Sequence, residues 1–140
     1  MSAKKPRLPR RSGCPISYSL EIFGDRWTLL VLRDLLLKGR RHFKDFLAAE
    51  EGIATNILTD RLQRLEAFGV IRRVRDPEDR RRRIYRPTDK GIALLPVLLE
   101  LAAWGAHHDS GTAAPSGFVA RFAEDREAVL EEFRRALSED

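Results

Sequence analysis

The chain has 140 residues, a formal net charge of +5 and a single cysteine, Cys14. This length suits one domain with a real core, and a lone cysteine excludes an internal disulfide framework and fits a reducing compartment. No uninterrupted apolar run approaches a membrane span, and no apolar segment follows the basic N-terminus as in a secretory signal, so we expect a cytoplasmic protein without a membrane partner.

The charge is unevenly distributed along the chain. Residues 1–13 and 72–87 each carry +5, residues 14–71 are balanced, and residues 88–140 carry −5. Two basic segments set apart from an acidic C-terminal third favour an anionic partner such as nucleic acid. The alternative is an ordinary solvated surface, which charge runs usually are.

A basic arm and a first helix are predicted at the N-terminus. Residues 1–13 contain prolines and lack apolar periodicity, which is typical of a disordered segment. Pro15 suits the first turn of a helix, with Cys14 near its cap and Gly24 at its end.

Three further helices are predicted before residue 70. Asp25 should cap a second, central helix that continues to about Lys38. A third helix should start near His42, and the turn at 50–52 separates it from a fourth helix over about 54–68. The fourth helix alternates a buried apolar side with a polar side that should face outward.

A basic hairpin should follow the fourth helix. Two short apolar, β-branched segments indicate strands near 70–75 and 82–86. The connecting loop contains four consecutive arginines, Arg80, Arg81, Arg82 and Arg83.

Two long helices are predicted in the C-terminal part. Thr88 can cap a helix that continues to about His108, in which Pro96 should either produce a kink or mark the start. The small residues of 109–117 indicate a linker, and residues 118–140 fit one last amphipathic helix.

Two helices joined by a short glycine-containing turn and followed by a basic hairpin form the pattern of a winged helix-turn-helix. The predicted fold class is therefore mainly α with a small β-hairpin (α+β). The second helix of such a pair fits the major groove of DNA, while wing arginines contact phosphates without reading the sequence. Winged helices also serve as protein-interaction modules, and the four arginines favour double-stranded DNA over that alternative.

Several short motifs, taken in order over residues 14–108, resemble those of the HxlR-type transcriptional regulators. They are Cys14-Pro15-Ile16, Gly24-Asp25-Arg26-Trp27-Thr28-Leu29-Leu30, Leu58-Thr59-Asp60-Arg61-Leu62, Leu65-Glu66, Tyr85-Arg86-Pro87-Thr88 with Gly91, Pro96-Val97-Leu98 and Trp104-Gly105. The resemblance implies a homodimeric regulator whose first and last family helices form the dimer interface. Such a protein binds a pseudo-palindromic promoter site and represses or activates a nearby gene.

The resemblance also implies roles for particular residues. Base-reading positions on the fourth helix would be Thr55, Asn56, Thr59 and Gln63. Contacts to the DNA backbone would come from Arg41, Arg61, Arg80, Arg81, Arg82 and Arg83. Ala54 stands where the family usually has a serine that caps this helix, so we expect Thr55 to cap it instead and to start it one residue later.

A dimer is also expected on physical grounds. The predicted 88–108 helix has more apolar positions than one small core needs, which suits an isologous interface. The alternative is that this helix packs against the last helix of the same subunit. The expected interface residues are Ile16, Leu20, Leu95, Leu98, Leu99 and Trp104.

Cys14 is a candidate sensor of oxidants or small electrophiles. A helix N-terminus and the nearby Arg11 would stabilise its thiolate. Some HxlR-type regulators use a cysteine at this position in that way, and the alternative is an inert small hydrophobic residue.

Metal binding and catalysis find little support in the residues. His107 and His108 are adjacent, and no further ligands stand at metal-binding spacing, so we expect no metal site. The chain has no phosphate-binding glycine loop, and no histidine pairs recognisably with the lone cysteine, so we expect no enzyme activity and no cofactor.

Overall fold

The computed structural model describes residues 11–138, so the predicted arm lies outside the described residues except for positions 11–13. The described chain forms two compact units that divide between Gly91 and Ile92, inside the predicted 14–108 domain. Its elements are α1 (Pro15–Phe23), α2 (Arg26–Leu36), α3 (Phe43–Leu47), α4 (Thr55–Ala67), β1 (Ile71–Arg75), β2 (Arg83–Pro87), α5 (Asp89–Ile92), α6 (Leu95–His108), α7 (Phe118–Glu124) and α8 (Arg126–Ser138). The predicted fold class, mainly α with a small hairpin, is confirmed.

Local capping chemistry sets the first two helices as predicted. Pro15 occupies the first turn of α1, where its missing N–H costs nothing. Gly24 is the residue at which α1 ends. The Asp25 side chain accepts a hydrogen bond from the backbone N–H of Thr28 at 3.0 Å and so caps α2.

The core of the first unit forms where α2 and α4 pack together and against the hairpin. The buried apolar side chains from these elements and α3 include Val31, Leu32, Leu35, Phe46, Leu58, Leu62, Leu65, Ile71 and Ile84. Leucines 58, 62 and 65 recur at helical spacing, so they bury one side of α4 and leave the other exposed.

The hairpin is antiparallel, with Arg73 opposite Tyr85 and Arg75 opposite Arg83. The backbone N–H of Tyr85 also donates to the carbonyl of Arg41 at 2.9 Å, so the segment before α3 adds one hydrogen bond at the edge of β2. This bond ties the start of the helix-turn-helix to the wing.

The end of the hairpin is anchored at a close backbone approach. The Thr88 hydroxyl donates to the carbonyl of Val70 at 3.0 Å, and the Gly91 N–H donates to the Thr88 hydroxyl at 3.2 Å, so Thr88 caps α5. A Cβ at Gly91 would stand only 2.2 Å from the Val70 oxygen. Only glycine fits there without moving the backbone.

In the second unit, one of the two alternatives predicted for Pro96 is confirmed, and the prediction for the last helix is corrected. Pro96 lies in the first turn of α6, and residues 93–94 form a turn after α5, so the proline marks a helix start. The prediction of a single last helix over residues 118–140 was wrong, because Asp125 separates α7 from α8. Its backbone leaves the helical region (φ −142°, ψ 68°), and its carboxylate accepts from the Ala128 N–H at 3.2 Å, as a capping residue does.

Within the second unit, α6 packs against α7 and α8. The buried side chains there are Leu95, Leu98, Leu99, Phe122, Val129, Leu130 and Leu137. The predicted alternative, in which α6 packs against the C-terminal helical segment of the same subunit, therefore holds for this side of α6.

One stretch among the described residues, Asp89–His108, is 20 residues long and reaches a mean hydropathy of 1.2. By length and composition alone it could cross a membrane, and the core helix of a soluble protein meets the same criterion. Charged residues interrupt the apolar run in this stretch, but its mean hydropathy, averaged over many residues, still reaches this value.

Candidate DNA-binding surface

The exposed side of α4 carries a row of polar side chains. Thr55, Asn56, Thr59 and Gln63 are all exposed, whereas Leu58, Leu62 and Leu65 on the other side are buried. The structure thus brings the four predicted base-reading residues together on one accessible face.

The start of α4 differs from our expectation. Ala54 is the residue before the first helical turn and Thr55 is the first helical residue, so Thr55 does not cap the helix. Ala54 supplies no side-chain hydrogen bond at this end, which leaves the backbone conformation alone to begin the helix. Thr55 therefore stays on the exposed face, and the Thr59 hydroxyl donates to its carbonyl at 2.9 Å.

The carboxylate of Asp25 connects α4 to the beginning of α2. Besides capping α2, it accepts from the Thr28 hydroxyl at 2.6 Å and from Arg61 Nε at 3.0 Å. Arg61 also donates to Asp60 at 2.6 Å. Burial would raise the pKa of Asp25, but the hydrogen bonds from Thr28 and Arg61 outweigh it and lower the pKa.

Arg61, predicted to contact the DNA backbone, is therefore engaged inside the chain. Its side chain is 23% exposed and faces two carboxylates. The structure gives it the role of holding α4 in position.

Arg41 is likewise directed inward. Its Nη1 donates to the carbonyls of Leu35 at 2.9 Å and Arg40 at 3.0 Å, near the end of α2. Cationic groups are favourable at that end of a helix. Burial, followed by repulsion from Arg86, lowers the pKa of Arg41. The predicted backbone contact by Arg41 is not what this geometry favours.

Two aspartates hold the wing loop. Asp76 is buried, and its carboxylate accepts from the Glu78 N–H at 2.9 Å and lies 2.9 Å from His42 Nε2. Asp79 accepts from the backbone N–H of Arg81 at 3.1 Å. The hydrogen bond from His42 lowers the pKa of Asp76, and the hydrogen bond from the Arg81 side chain lowers that of Asp79.

The four arginines of the wing consequently differ in availability. Arg82 lies 3.5 Å from Asp79 and 3.8 Å from Asp76, whereas Arg81 is 90% exposed despite its contact with Asp79. Arg80 and Arg83 are also exposed. In the sequence, Asp76 and Asp79 indicated only a lower net charge of the loop, and nothing indicated that His42 would pair with Asp76. These roles could not be predicted because His42 and Asp76 lie on segments that are distant along the chain.

The predicted dimer residues fall into two groups. Leu95, Leu98 and Leu99 are buried within the chain, so little of their surface is accessible to a partner subunit. We therefore no longer expect these three residues in a dimer interface. The other predicted residues, Ile16, Leu20 and Trp104, are exposed. On α6, two further apolar side chains are exposed, and together with Trp104 the set is Val97, Leu101 and Trp104. The last three recur at helical spacing and form one stripe.

Cys14 is exposed and immediately precedes α1. Its backbone N–H donates to the Ser12 hydroxyl at 3.2 Å, and its side chain makes no capping hydrogen bond. Arg11, expected to favour the thiolate, pairs with Glu21.

The described part of the chain holds no group of three or more histidine, cysteine or acidic side chains arranged to bind a metal ion. His107 and His108 contact each other through their rings, with centroids 4.8 Å apart, and His108 lies against Trp104.

Comparison with known sequences gives one family. A sequence model of the HxlR-like helix-turn-helix matches residues 22–112. The uncharacterised HTH-type transcriptional regulator YybR of Bacillus subtilis is 30% identical over 105 residues, which cover 75% of this chain and 83% of the relative.

Solved structures share the fold. The crystal structure of PA1607, a proposed transcription factor, superimposes with a TM-score of 0.64 at 34% identity and covers 76% of this chain and 71% of that one. The redox regulator HypR in its oxidised form gives a TM-score of 0.60 at 26% identity, covering 67% and 96%. These similarities and the two-stranded wing confirm the winged helix-turn-helix.

Substitutions of Asp25 should separate its two roles. Asp25→Ala removes the cap and the Arg61 partner, and should lower the free energy of unfolding by about 1–2 kcal/mol in urea titrations near neutral pH. Asp25→Ser keeps a capping oxygen and should cost less.

The pH dependence follows from the lowered pKa of Asp25. The charged carboxylate stabilises the fold fully above the ordinary value of 3.8, and this contribution is lost as the pH falls through the lower folded-state value. The difference between the wild type and Asp25→Ser should therefore be constant from neutral pH to about pH 4 and shrink below it. A difference in the free energy of unfolding that stays the same at the acid end would contradict a stabilising role of the charged Asp25 carboxylate.

Proposed function

Because this chain belongs to the HxlR-like helix-turn-helix family of transcriptional regulators, we propose that it binds a pseudo-palindromic promoter site in the cytoplasm as a homodimer. The observation that supports the proposal most directly is the exposed polar row of α4 beside a wing with exposed arginines. A helix of this kind inserts into the major groove, and the wing contacts the backbone beside it.

The polar row offers the chemistry that base edges require. The Asn56 amide can bond to adenine through both of its polar groups, and Gln63 can do the same. The methyl groups of Thr55 and Thr59 suit contact with thymine methyls. Since Leu58 and Leu62 are buried on the opposite side of α4, the row is presented by a helix that the core holds in place.

The wing supplies affinity that does not depend on sequence. Arg80 is exposed and Arg81 is 90% exposed, while Arg82 is partly neutralised by Asp76 and Asp79. Phosphate contacts by arginine release counterions, so the binding constant should fall steeply as salt rises.

Variants of the wing and of α4 should differ in kind. Arg80→Gln combined with Arg81→Gln should weaken binding to every duplex about equally and reduce the slope of log K against log salt by about two. Asn56→Ala should change the preferred sequence, with a cost of about 1–3 kcal/mol at one base pair. Fluorescence anisotropy with a selected site and an unrelated duplex, over a range of salt concentrations, measures both effects.

An affinity of the wild type that stays flat as salt rises would contradict the phosphate contacts. That result would favour the alternative function, a winged-helix module that binds proteins and not DNA.

Dimerisation gives the site its twofold symmetry, because two recognition helices can read half-sites about one helical turn apart. α1 carries several apolar side chains, yet Ile22 is its only buried residue, and Ile16 and Leu20 remain exposed. The exposed stripe on α6 is a second face of this kind. We propose that a second copy of the chain covers both faces, since exposed apolar patches mark association sites.

Placing a charge in either face should dissociate the dimer. Leu20→Asp and Trp104→Asp should each raise the dimer dissociation constant by at least about tenfold, because association would bury an unpaired carboxylate. Sedimentation equilibrium measures the shift, and Ala136→Asp, on an exposed position of α8, is the matched control. A wild type that sediments as a monomer at micromolar concentration, or a control that dissociates equally, would contradict this assignment.

We further propose that Cys14 makes the regulator responsive to oxidants. The thiol is exposed beside α1, and the solved structure of a redox regulator, HypR, is similar to this chain. If α1 lies in the dimer interface, a peroxide can oxidise two Cys14 thiols to one intersubunit disulfide, taking up their two electrons and two protons and being reduced to water, or it can convert each thiol separately to a sulfenic acid.

Treatment of the dimer with a mild oxidant should yield a disulfide-linked dimer on non-reducing gels or an adduct at Cys14 by mass spectrometry, with an altered affinity for DNA. Cys14→Ser should remain unmodified and bind DNA unchanged, since its hydroxyl cannot be oxidised in this way. Unmodified Cys14 after treatment, with unaltered DNA affinity, would exclude a sensing role.

A further inference from the structure

A basic cleft of about 390 Å³ lies between the start of α3 and one face of the hairpin. The side chains that line it and bear on its chemistry are His42, Lys44, Arg73, Arg82, Arg83 and Tyr85. Of the cations among them, only Arg82 and Arg83 belong to the arginine run of the wing loop. The charge pattern along the chain therefore indicated Arg82 and Arg83 but not the grouping of Lys44 and Arg73 with them.

Strand register explains why these side chains meet. Arg73 is paired with Tyr85, and Arg83 precedes Tyr85 by two residues on β2. Side chains at these positions project from the same face of the hairpin. The Tyr85 ring meets the Phe46 ring edge to face, with centroids 6.2 Å apart, and this contact holds the hairpin face against α3. Lys44 of α3 lines the same cleft as the arginines of the hairpin.

The cations of the cleft are unequally compensated. Arg73 lies 3.7 Å from Glu66, and Arg82 is shared between Asp76 and Asp79. Lys44 and Arg83 are exposed, and within residues 11–138 neither has a carboxylate at ion-pair distance. The cleft therefore presents two cations whose charge is not neutralised locally.

The position of the cleft relates it to the exposed face of α4. Glu66, which pairs with Arg73, follows Thr59 and Gln63 at intervals of seven and three residues, so it continues the same side of that helix. The cleft thus adjoins the side of α4 that carries the polar row. A duplex with α4 in its major groove would carry a backbone strand past this point.

We propose that Lys44 and Arg83 together bind one backbone phosphate of the DNA, with Arg73 and Tyr85 forming the adjoining wall. The two cations come from different elements, so they can approach a phosphodiester from two directions. The site fixes the angle between α3 and the DNA and reads no bases. This inference rests on the proposed DNA binding.

The test uses an unrelated duplex and the full chain. Lys44→Gln and Arg83→Gln should each weaken binding roughly three- to tenfold at about 0.1 M salt, and each should reduce the salt slope by about one. Lys44→Arg keeps the charge and should retain the wild-type slope. Arg135→Gln, which removes an exposed charge from α8, is the matched control and should leave both quantities unchanged.

The outcomes separate this site from DNA binding as a whole. If Lys44→Gln and Arg83→Gln behave like Arg135→Gln while the Arg80 and Arg81 variant weakens binding, the cleft proposal is wrong and DNA binding stands. If the wild type itself shows no salt dependence, both proposals are wrong.

A calorimetric titration of DNA-free protein with inorganic pyrophosphate distinguishes the source of the phosphate. Saturable pyrophosphate binding that Lys44→Gln abolishes, together with an unchanged salt slope on DNA, would identify a small-anion site and overturn the proposal. A slope reduced by Lys44→Gln, with only weak pyrophosphate binding, would support the backbone phosphate.

Discussion

The carboxylate of Asp25 joins α4, the helix that carries the exposed polar row, to the start of α2. It accepts one of the otherwise unpaired N–H groups at the start of α2, that of Thr28, and it also accepts a hydrogen bond from Arg61 in the middle of α4. This contact fits the orientation of α4, in which the leucines are buried in the core and the polar row is exposed. Loss of this contact would allow the recognition helix to shift while each helix remained intact.

The wing depends on the same kind of contact between opposite charges. Asp76 and Asp79 order a loop that would otherwise repel itself, and they withdraw part of the charge of Arg82. The number of arginines in the loop thus overstates the charge that is available to a partner. Further positive charge is available in the cleft, where the charges of Lys44 and Arg83 are not neutralised by a nearby carboxylate of the described residues.

Features governed by neighbouring residues were predictable. Pro15 and Gly24 bound α1 and Asp25 caps α2 because capping acts over one helical turn. The break at Asp125 was not predicted because the apolar spacing continues across it. An aspartate can either cap a new helix or lie within a continuous one, so its presence alone did not indicate a break. The exclusion of Leu95, Leu98 and Leu99 from an exposed face could not be foreseen, since periodicity identifies an apolar side and not what covers it.

The sequence by itself determined the order of the helices, the basic wing and the class of the partner, because periodicity, capping and charge density are local properties. Tertiary structure alone decided which arginines remain available. Asp25 lies 36 residues from Arg61, and His42 lies 34 residues from Asp76, so these contacts exist only after distant segments pack. The same packing created the cleft, in which cations separated along the chain converge on one point.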